Sequence, residues 1–282
     1  MKIETVGVIG AGLMGSGIAQ VCAVAGLKVV LRDLNEAALT KGVQMISASL
    51  DRAVTKGKMS AEEKERALAS ISTHTETGAL AQADFIIEAA TENVEIKLAI
   101  LKEVEAVAKA EAVIASNTSS VSITKLAAAL SRPERLIGMH FFNPVPMMSL
   151  VELIRGIQTS DTTFATTDAL SRQIGKTPIS VKNAPGFVVN RILVPMMNEA
   201  IFVLQEGLAT REDIDLGMRL GTGQPMGPLA LCDLVGLDTL LAVLKVFYHD
   251  FNDPKYRPAP LLQEMVDAGY LGRKSGRGFY EY

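Results

Sequence analysis

The sequence predicts an α/β fold: a doubly wound, largely parallel sheet with an inserted helical hairpin, followed by a smaller all-α domain. Three observations predict it. A short apolar run (residues 5–9) leads into Gly10-Ala11-Gly12-Leu13-Met14-Gly15, a small-residue helical run follows, and a second apolar run (27–31) ends on Arg32-Asp33, which reads as strand, glycine turn, helix, strand. Apolar strand-like runs then alternate with helical patterns as far as about residue 181, as expected of strands covered on both faces. After Ala184-Pro185-Gly186 only helical patterns remain.

Taken in order, the helix after the glycine turn stops at Gly26. Residues 35–72 mix charges with apolar Leu39, Met45, Ile46, Leu50, Val54 and Leu68, and Gly57 and Ser60 break the middle, so a helical hairpin is expected there. Ser60 with Glu63 three residues later has the capping-box pattern, which starts the second helix. Further buried strands are expected at 84–90, 112–116 and 136–140, with helices at 94–108 and 124–130, and strands at 149–154 and 178–181 close the series. In the last third, 187–206 reads as a helix ending at Gly207, Thr210 with Asp213 caps another, and 236–248 is a third. The domains are therefore expected at 1–184 and 185–282, with the hairpin at about 35–72 inside the first.

Composition excludes several function classes. The chain has 282 residues, a length that suggests about two domains, each able to bury its own core. With 28 Lys and Arg against 31 Asp and Glu the net charge is −3, no basic block occurs and Trp is absent, so nucleic acid is not an expected partner. No uncharged apolar stretch reaches 18 residues, so no membrane span is expected. The first strand-like run begins at Ile3, which leaves no room for a presequence, and Cys22 and Cys232 both lie in apolar stretches, so a reducing, cytoplasmic setting is expected. No fixed-period repeat or low-complexity tract occurs.

The glycine turn is the strongest chemical signal. Gly10 permits the tight turn, Gly12 lets a pyrophosphate approach the backbone, Gly15 lets helix and strand pack closely, and helix N–H groups face the phosphates. Asp33, 23 residues after Gly10 at the end of the next strand, suits the ribose hydroxyls of NAD and repels a 2′-phosphate, while adjacent Arg32 keeps NADP as an option. A Rossmann-type dinucleotide-binding domain is the reading.

A second constellation is polar groups in apolar strands. His140 ends one strand and Glu152 interrupts Leu150-Val151-Glu152-Leu153-Ile154. A buried carboxylate needs a partner, and the proline-rich segment between the two could fold them together, so that Glu152 holds one ring nitrogen of His140 and the other moves a proton. Asn117-Thr118-Ser119-Ser120 follows a strand at the carboxyl end of the sheet, where it reads either as a ligand-facing hydroxyl cluster or as a helix N-cap. Asn190, among Val188, Val189, Ile192 and Leu193, either caps a contact or enters a cleft. Ser49, Arg52 and Lys56 share one helix face, with Lys58 just beyond; that stripe suits a phosphate-bearing group or is a solvated face. His74 and His249 read as surface residues, and no metal-ligand spacing is present.

Together, GAGLMGSGIA near the start, SNTSS at 116–120, HFFNPVPMMSLVEL at 140–153, PGFVVNRI at 185–192 and GQPMGPLALCDLVGLDT at 223–239 closely resemble the 3-hydroxyacyl-CoA dehydrogenase family over essentially the whole chain. The length matches the short monofunctional form, without the hydratase module of the fused β-oxidation proteins. The resemblance implies hydride exchange between NAD and a (S)-3-hydroxyacyl-CoA/3-ketoacyl-CoA pair in fatty acid metabolism, with the four-carbon 3-hydroxybutyryl and acetoacetyl thioesters as expected substrates. It implies that His140 is the general acid/base oriented by Glu152, and that Ser119 and Asn190 hydrogen-bond the reacting oxygen. It further implies that Gly10, Gly12, Leu13, Met14, Gly15, Asp33, Glu92, Lys97, Asn143 and Lys274 approach NAD, that Ser49, Arg52 and Lys56 approach CoA, and that the chain forms a homodimer through its helical domain. Arg52 stands where the family has lysine. Two alternatives share the glycine turn: a dehydrogenase of a free 3-hydroxy acid, which would not need CoA, and a non-catalytic NAD(H)-binding protein, against which the His140/Glu152 pair argues.

Overall fold

Thr5–Ile9 is short, β-branched and buried, and forms β1 at the heart of a sheet in the computed structural model, which describes residues 2–282. The glycine turn follows, then α1 (Leu13–Val24) and β2 (Lys28–Arg32), which pairs parallel to β1. The hairpin consists of α2 (Glu36–Thr55), capped by Asn35, and α3 (Ala61–Ala69), on which the Ser60/Glu63 capping box is complete. The expected hairpin range overruns its end: Ile71–His74 is a strand, β3, paired parallel to β2. This strand lies at the edge of the sheet and is mostly exposed, so its sequence ISTH lacks the apolar run that marks a buried strand.

Beyond a 3-10 turn at Thr77–Gln82 come β4 (Phe85–Glu88), α4 (Val94–Val107), β5 (Val113–Ser116), α5 (Ile123–Ala127) and β6 (Leu136–Phe141). Next are β7 (Leu150–Arg155), α6 (Asp161–Gln173) and β8 (Thr177–Lys182). The eight-stranded order is β3-β2-β1-β4-β5-β6-β7-β8, and chain order reverses between β1 and β4. Every pair from β3 to β6 is parallel, whereas β7 runs antiparallel to β6. The cause is the connection: a short loop at 142–149 carries no crossover helix and can only return the chain antiparallel, while α6 provides the crossover that makes β7 and β8 parallel. The sequence pattern does not reveal α6, because its buried face is Thr163, Thr167, Leu170 and Ser171 rather than an apolar stripe.

The chain divides into two compact units, residues 1–184 and 185–282. The second unit holds α7 (Val189–Gln205), α8 (Arg211–Thr222), α9 (Pro228–Val235), α10 (Leu237–Phe251) and α11 (Pro260–Asp267) around its own core, which includes Ile201, Leu229, Leu240, Leu244 and Phe247. Two buried acids organise it. Asp215 accepts the Leu229 and Ala230 N–H groups at the start of α9 (2.8 and 3.0 Å), and Asp233 accepts the Phe279 and Tyr280 N–H groups (both 2.9 Å), so each carboxylate satisfies donors that would otherwise be orphaned. Among the described residues no helix is long and apolar enough to cross a membrane.

Candidate active site

The parallel strands deliver their functional residues to one edge, because the loops at their carboxyl ends open on the same side. At the end of β1 the three glycines have three separate reasons. Gly10 adopts φ +98°, and a side chain there would strike Ala89 and Ala90. A Cβ on Gly15 would lie 1.7 Å from the Gly10 carbonyl oxygen, so helix and turn meet at a distance only glycine allows. A Cβ on Gly12 would meet nothing within 4 Å, and Gly12 is the N-cap of α1 without a side-chain cap. Open space thus lies beside the first turn of α1, room for a pyrophosphate to approach the helix terminus. Leu13 is exposed and Met14 half-buried at its rim.

At the end of β2 one oxygen of Asp33 accepts the Ala11 N–H (2.8 Å) and the other the Asn35 N–H (3.3 Å), which fixes the carboxylate beside the turn. Arg32 is buried, with Nε donating to the Thr75 carbonyl (3.2 Å) under the end of β3.

Along the next two strand ends, those of β4 and β5, a polar network of hydrogen bonds and ion pairs runs from the interior to the surface. Glu88, at the end of β4, is fully buried; Oε1 accepts the Ala90 N–H (2.9 Å), while Oε2 accepts Lys97 Nζ (2.6 Å) and Ser116 Oγ (2.7 Å). Lys97 is only 1 % exposed, and its Nζ lies 3.8 Å from Glu92 Oε2. Glu92 is exposed and accepts from Thr118 Oγ1 (2.6 Å), the Ser119 N–H (2.8 Å) and Ser119 Oγ (3.0 Å). A buried ammonium matched to a buried carboxylate in this way is a held structural charge, and Lys97 itself presents almost no surface to a ligand. Sequence reasoning missed Glu88 and Ser116, although an acid at the end of the apolar run FIIE is the same signal that marks Glu152.

The segment after β5 divides its labour. Asn117 Oδ1 accepts the Phe141 N–H (2.9 Å), pinning the end of β6, and Thr118 Oγ1 accepts the Val121 N–H (3.0 Å). The cap of α5 is Ser122, so Ser119 is not spent on a helix terminus and remains half-buried at the strand end.

Antiparallel pairing of β6 with β7 sets His140 directly opposite Glu152. Nδ1 of His140 lies 2.8 Å from Glu152 Oε2, the carboxylate is fully buried and the imidazole 8 % exposed. Phe142 packs against the ring at 4.7 Å between centroids. A carboxylate can only accept here, so Nδ1 carries the hydrogen of this bond and the neutral ring has its lone pair on Nε2.

A cleft of about 250 Å³ is bounded by α1 (Leu13, Gly17), by α2 (Ser49, Arg52) and by the 142–149 loop that follows β6 (Asn143, Pro146). Two residues expected at the cofactor, Leu13 and Asn143, thus share a cleft with two expected at CoA. Lys56 caps the C-terminal end of α2 and is exposed, outside the cleft lining. In the second unit, Asn190 is half-buried in the first turn of α7, and Lys274 donates to Asp238 (2.7 Å). His74 and His249 are exposed, the latter paired with Asp250 (2.8 Å).

Comparison with known proteins meets this geometry. Residues 5–184 match the model of the 3-hydroxyacyl-CoA dehydrogenase NAD binding domain, and residues 186–282 match that of the 3-hydroxyacyl-CoA dehydrogenase C-terminal domain. The chain belongs to the 3-hydroxyacyl-CoA dehydrogenase family. It is 51 % identical over 280 residues to a 3-hydroxybutyryl-CoA dehydrogenase of Bradyrhizobium diazoefficiens, covering 99 % of this chain and 96 % of the relative. It is 48 % identical to one of Clostridioides difficile, covering 98 % of each. The crystal structure of (S)-3-hydroxybutyryl-CoA dehydrogenase from Ralstonia eutropha superposes with a TM-score of 0.98 at 61 % identity, covering 100 % of this chain and 99 % of that one. The chain is therefore an NAD-dependent 3-hydroxyacyl-CoA dehydrogenase, and its first unit is the family's NAD-binding domain.

Proposed function

We propose that this dehydrogenase interconverts (S)-3-hydroxybutyryl-CoA and acetoacetyl-CoA, with His140 as the general acid/base and Glu152 as its orienting partner. The carrying observation is the buried 2.8 Å Nδ1–Oε2 contact at the carboxyl end of the sheet. Held by Glu152, the ring takes the proton of the 3-hydroxyl through Nε2 in the oxidative direction, and as imidazolium returns it to the alkoxide oxygen in the reductive one. The buried carboxylate stabilises the cationic ring while it carries that proton. NAD, when bound, supplies the hydride acceptor.

The cradle of Gly10, Gly12, Leu13, Met14 and Gly15 would hold the pyrophosphate, and Asp33 the adenine ribose. Glu92 would meet the nicotinamide side with Lys97 behind it, with Asn143 and Lys274 as further contacts. Ser119 and Asn190 would steady the reacting oxygen. Ser119 Oγ donates to Glu92 here, so it must turn from that carboxylate to donate to a substrate oxygen. The cleft beside Ser49 and Arg52 would receive the CoA arm, with Lys56 meeting its phosphates from the rim.

The 185–282 unit would supply substrate contacts and form a homodimer; Leu216 and Leu220, four residues apart on α8, are exposed there. Both cysteines are buried and unpaired, as in a reducing cytoplasm. The test is acetoacetyl-CoA reduction with NADH and with NADPH, repeated with longer 3-ketoacyl thioesters and with free acetoacetate. The proposal expects turnover with NADH and the four-carbon thioester, and a loss of about a hundredfold or more in His140→Gln with NADH binding retained. Near-normal turnover by that variant would remove His140 from the mechanism.

A further inference from the structure

Lys176 carries a buried charge that the reaction does not use. It follows α6, where Gly175 takes a left-handed turn (φ +75°) and the Lys176 N–H closes back on the Ser171 carbonyl (2.9 Å), so the chain reverses and directs the side chain inward. The residue is 7 % exposed, and its ammonium donates to two backbone carbonyls of the 142–149 loop, Val145 (2.5 Å) and Met148 (2.8 Å). Among the described residues no carboxylate pairs with it. Burial pushes its pKa down, and burial pushes the Cys22 thiol, which feels the ammonium, up to about 12, so that thiol offers no counter-charge at neutral pH. A desolvated cation held only by peptide oxygens is costly unless those oxygens are fixed where it needs them.

The loop needs such a clamp. Pro144 and Pro146 have no N–H to give, and the turn is closed by the Met147 and Met148 N–H groups on the Pro144 carbonyl (2.9 and 3.0 Å). On its inner side the loop rests on α1 so closely that a Cβ on Gly17 would lie 2.8 Å from Val145 Cβ. Asn143, Pro144, Val145 and Pro146 line the cleft together with Ser49 and Arg52, and Lys176, which holds the same loop, lines a different recess with Lys58 and Met59.

We propose that Lys176 is a positioning residue: its ammonium holds the 142–149 loop as a preformed wall of the cleft that receives the CoA-linked substrate. The inference rests on the proposed function for what the cleft binds, but not for the clamp itself. Lys176→Met keeps length and removes the charge; Lys176→Gln keeps neutral donors and guards against a misfolded methionine variant. In ligand-free protein, the Met147 and Met148 amides are expected to exchange hydrogen about tenfold or more faster in Lys176→Met, and by a smaller factor in Lys176→Gln, for loss of a hydrogen bond to a charged group. The KM for acetoacetyl-CoA is expected to rise about tenfold and that for NADH, which Asn143 of the same loop contacts in the proposed function, by clearly less, with kcat within about twofold.

Unchanged amide exchange in a folded variant overturns the clamp. Faster exchange with an unchanged thioester KM overturns the role in substrate positioning, as does an equal rise in both KM values, which marks general loosening. Wild-type protein that leaves acetoacetyl-CoA unreduced refutes the proposed function instead, and the exchange measurement still decides the clamp.

Discussion

Replacing Glu152 by Gln isolates the charge of the buried pair. The side chain is fully buried and its Oε2 lies 2.8 Å from His140 Nδ1, so an isosteric amide keeps the packing while removing the negative charge that supports an imidazolium. A hydrogen bond to a charged group contributes about 1.5–3 kcal/mol, and a neutral one about 0.5–1.5. The loss in the step where the ring is cationic is therefore roughly 1–2 kcal/mol from the bond alone, or about five- to thirtyfold in kcat at 1.36 kcal/mol per tenfold. A second loss adds to it: the amide can turn its NH₂ toward Nδ1, forcing the ring proton to Nε2 and presenting the wrong tautomer for proton removal. Together these place the expected fall in kcat at about thirtyfold or more, with the KM for NADH within twofold. The assay is the gain of NADH absorbance with saturating (S)-3-hydroxybutyryl-CoA and NAD, with the KM for NADH read in the reverse direction and the thermal midpoint measured on the same preparation. A kcat within threefold of wild type at an unchanged midpoint would refute the reasoning and reduce Glu152 to a packing residue.

The glycine turn offers a paired test. Gly12→Ala places a Cβ in open space at an ordinary backbone conformation, so its thermal midpoint should match wild type while NADH binds about tenfold more weakly; Gly15→Ala meets the Gly10 carbonyl and should cost about 1–3 kcal/mol in a urea titration. Arg52→Ala should raise the KM for acetoacetyl-CoA about tenfold and leave that for a pantetheine-truncated thioester unchanged; equal effects on both would make the stripe a solvated face. Acid stability should depend on Asp84. Burial raises its carboxyl, but Lys109 (2.7 Å) and the Glu4 and Thr5 N–H groups (2.9 and 3.0 Å) outweigh that and hold it below its ordinary value. Its stabilisation is then complete above the unfolded-state value of about 3.9 and is lost as pH falls through the lower folded-state value. The urea midpoint of Asp84→Asn should sit below wild type at pH 6 and fall less between pH 5 and pH 3; parallel acid limbs would exclude the pair.

Much of the candidate site was legible because its residues break local rules. A glycine run between strand and helix, an aspartate ending the next strand and a histidine and a glutamate inside apolar strands are all costly choices unless something compensates. Glu88 broke the same rule at the end of FIIE and went unread, since its partners Lys97 and Ser116 lie 9 and 28 residues away. Lys176 left no signal at all, for a lysine before a strand is usually a solvated one. The edge strand β3 and the helix α6 escaped for the opposite reason: both are polar where buried elements are apolar, one because it faces water and the other because Thr163, Thr167 and Ser171 satisfy their hydroxyls on nearby carbonyls.

The sequence by itself determined the alternation of strands and helices, the place where helix takes over alone and the turn that admits a cofactor, since these depend on periodicity and on the backbone freedom of single residues. Only the tertiary structure decided that β7 returns antiparallel, and with it that His140 faces Glu152 at 2.8 Å. Register across strands is set by loop length and by packing on both faces of a sheet, quantities that no local window of residues contains. The same holds for Lys176, whose partners are peptide oxygens that any residues could supply: they are carbonyls of Val145 and Met148 because the fold brings that loop to it.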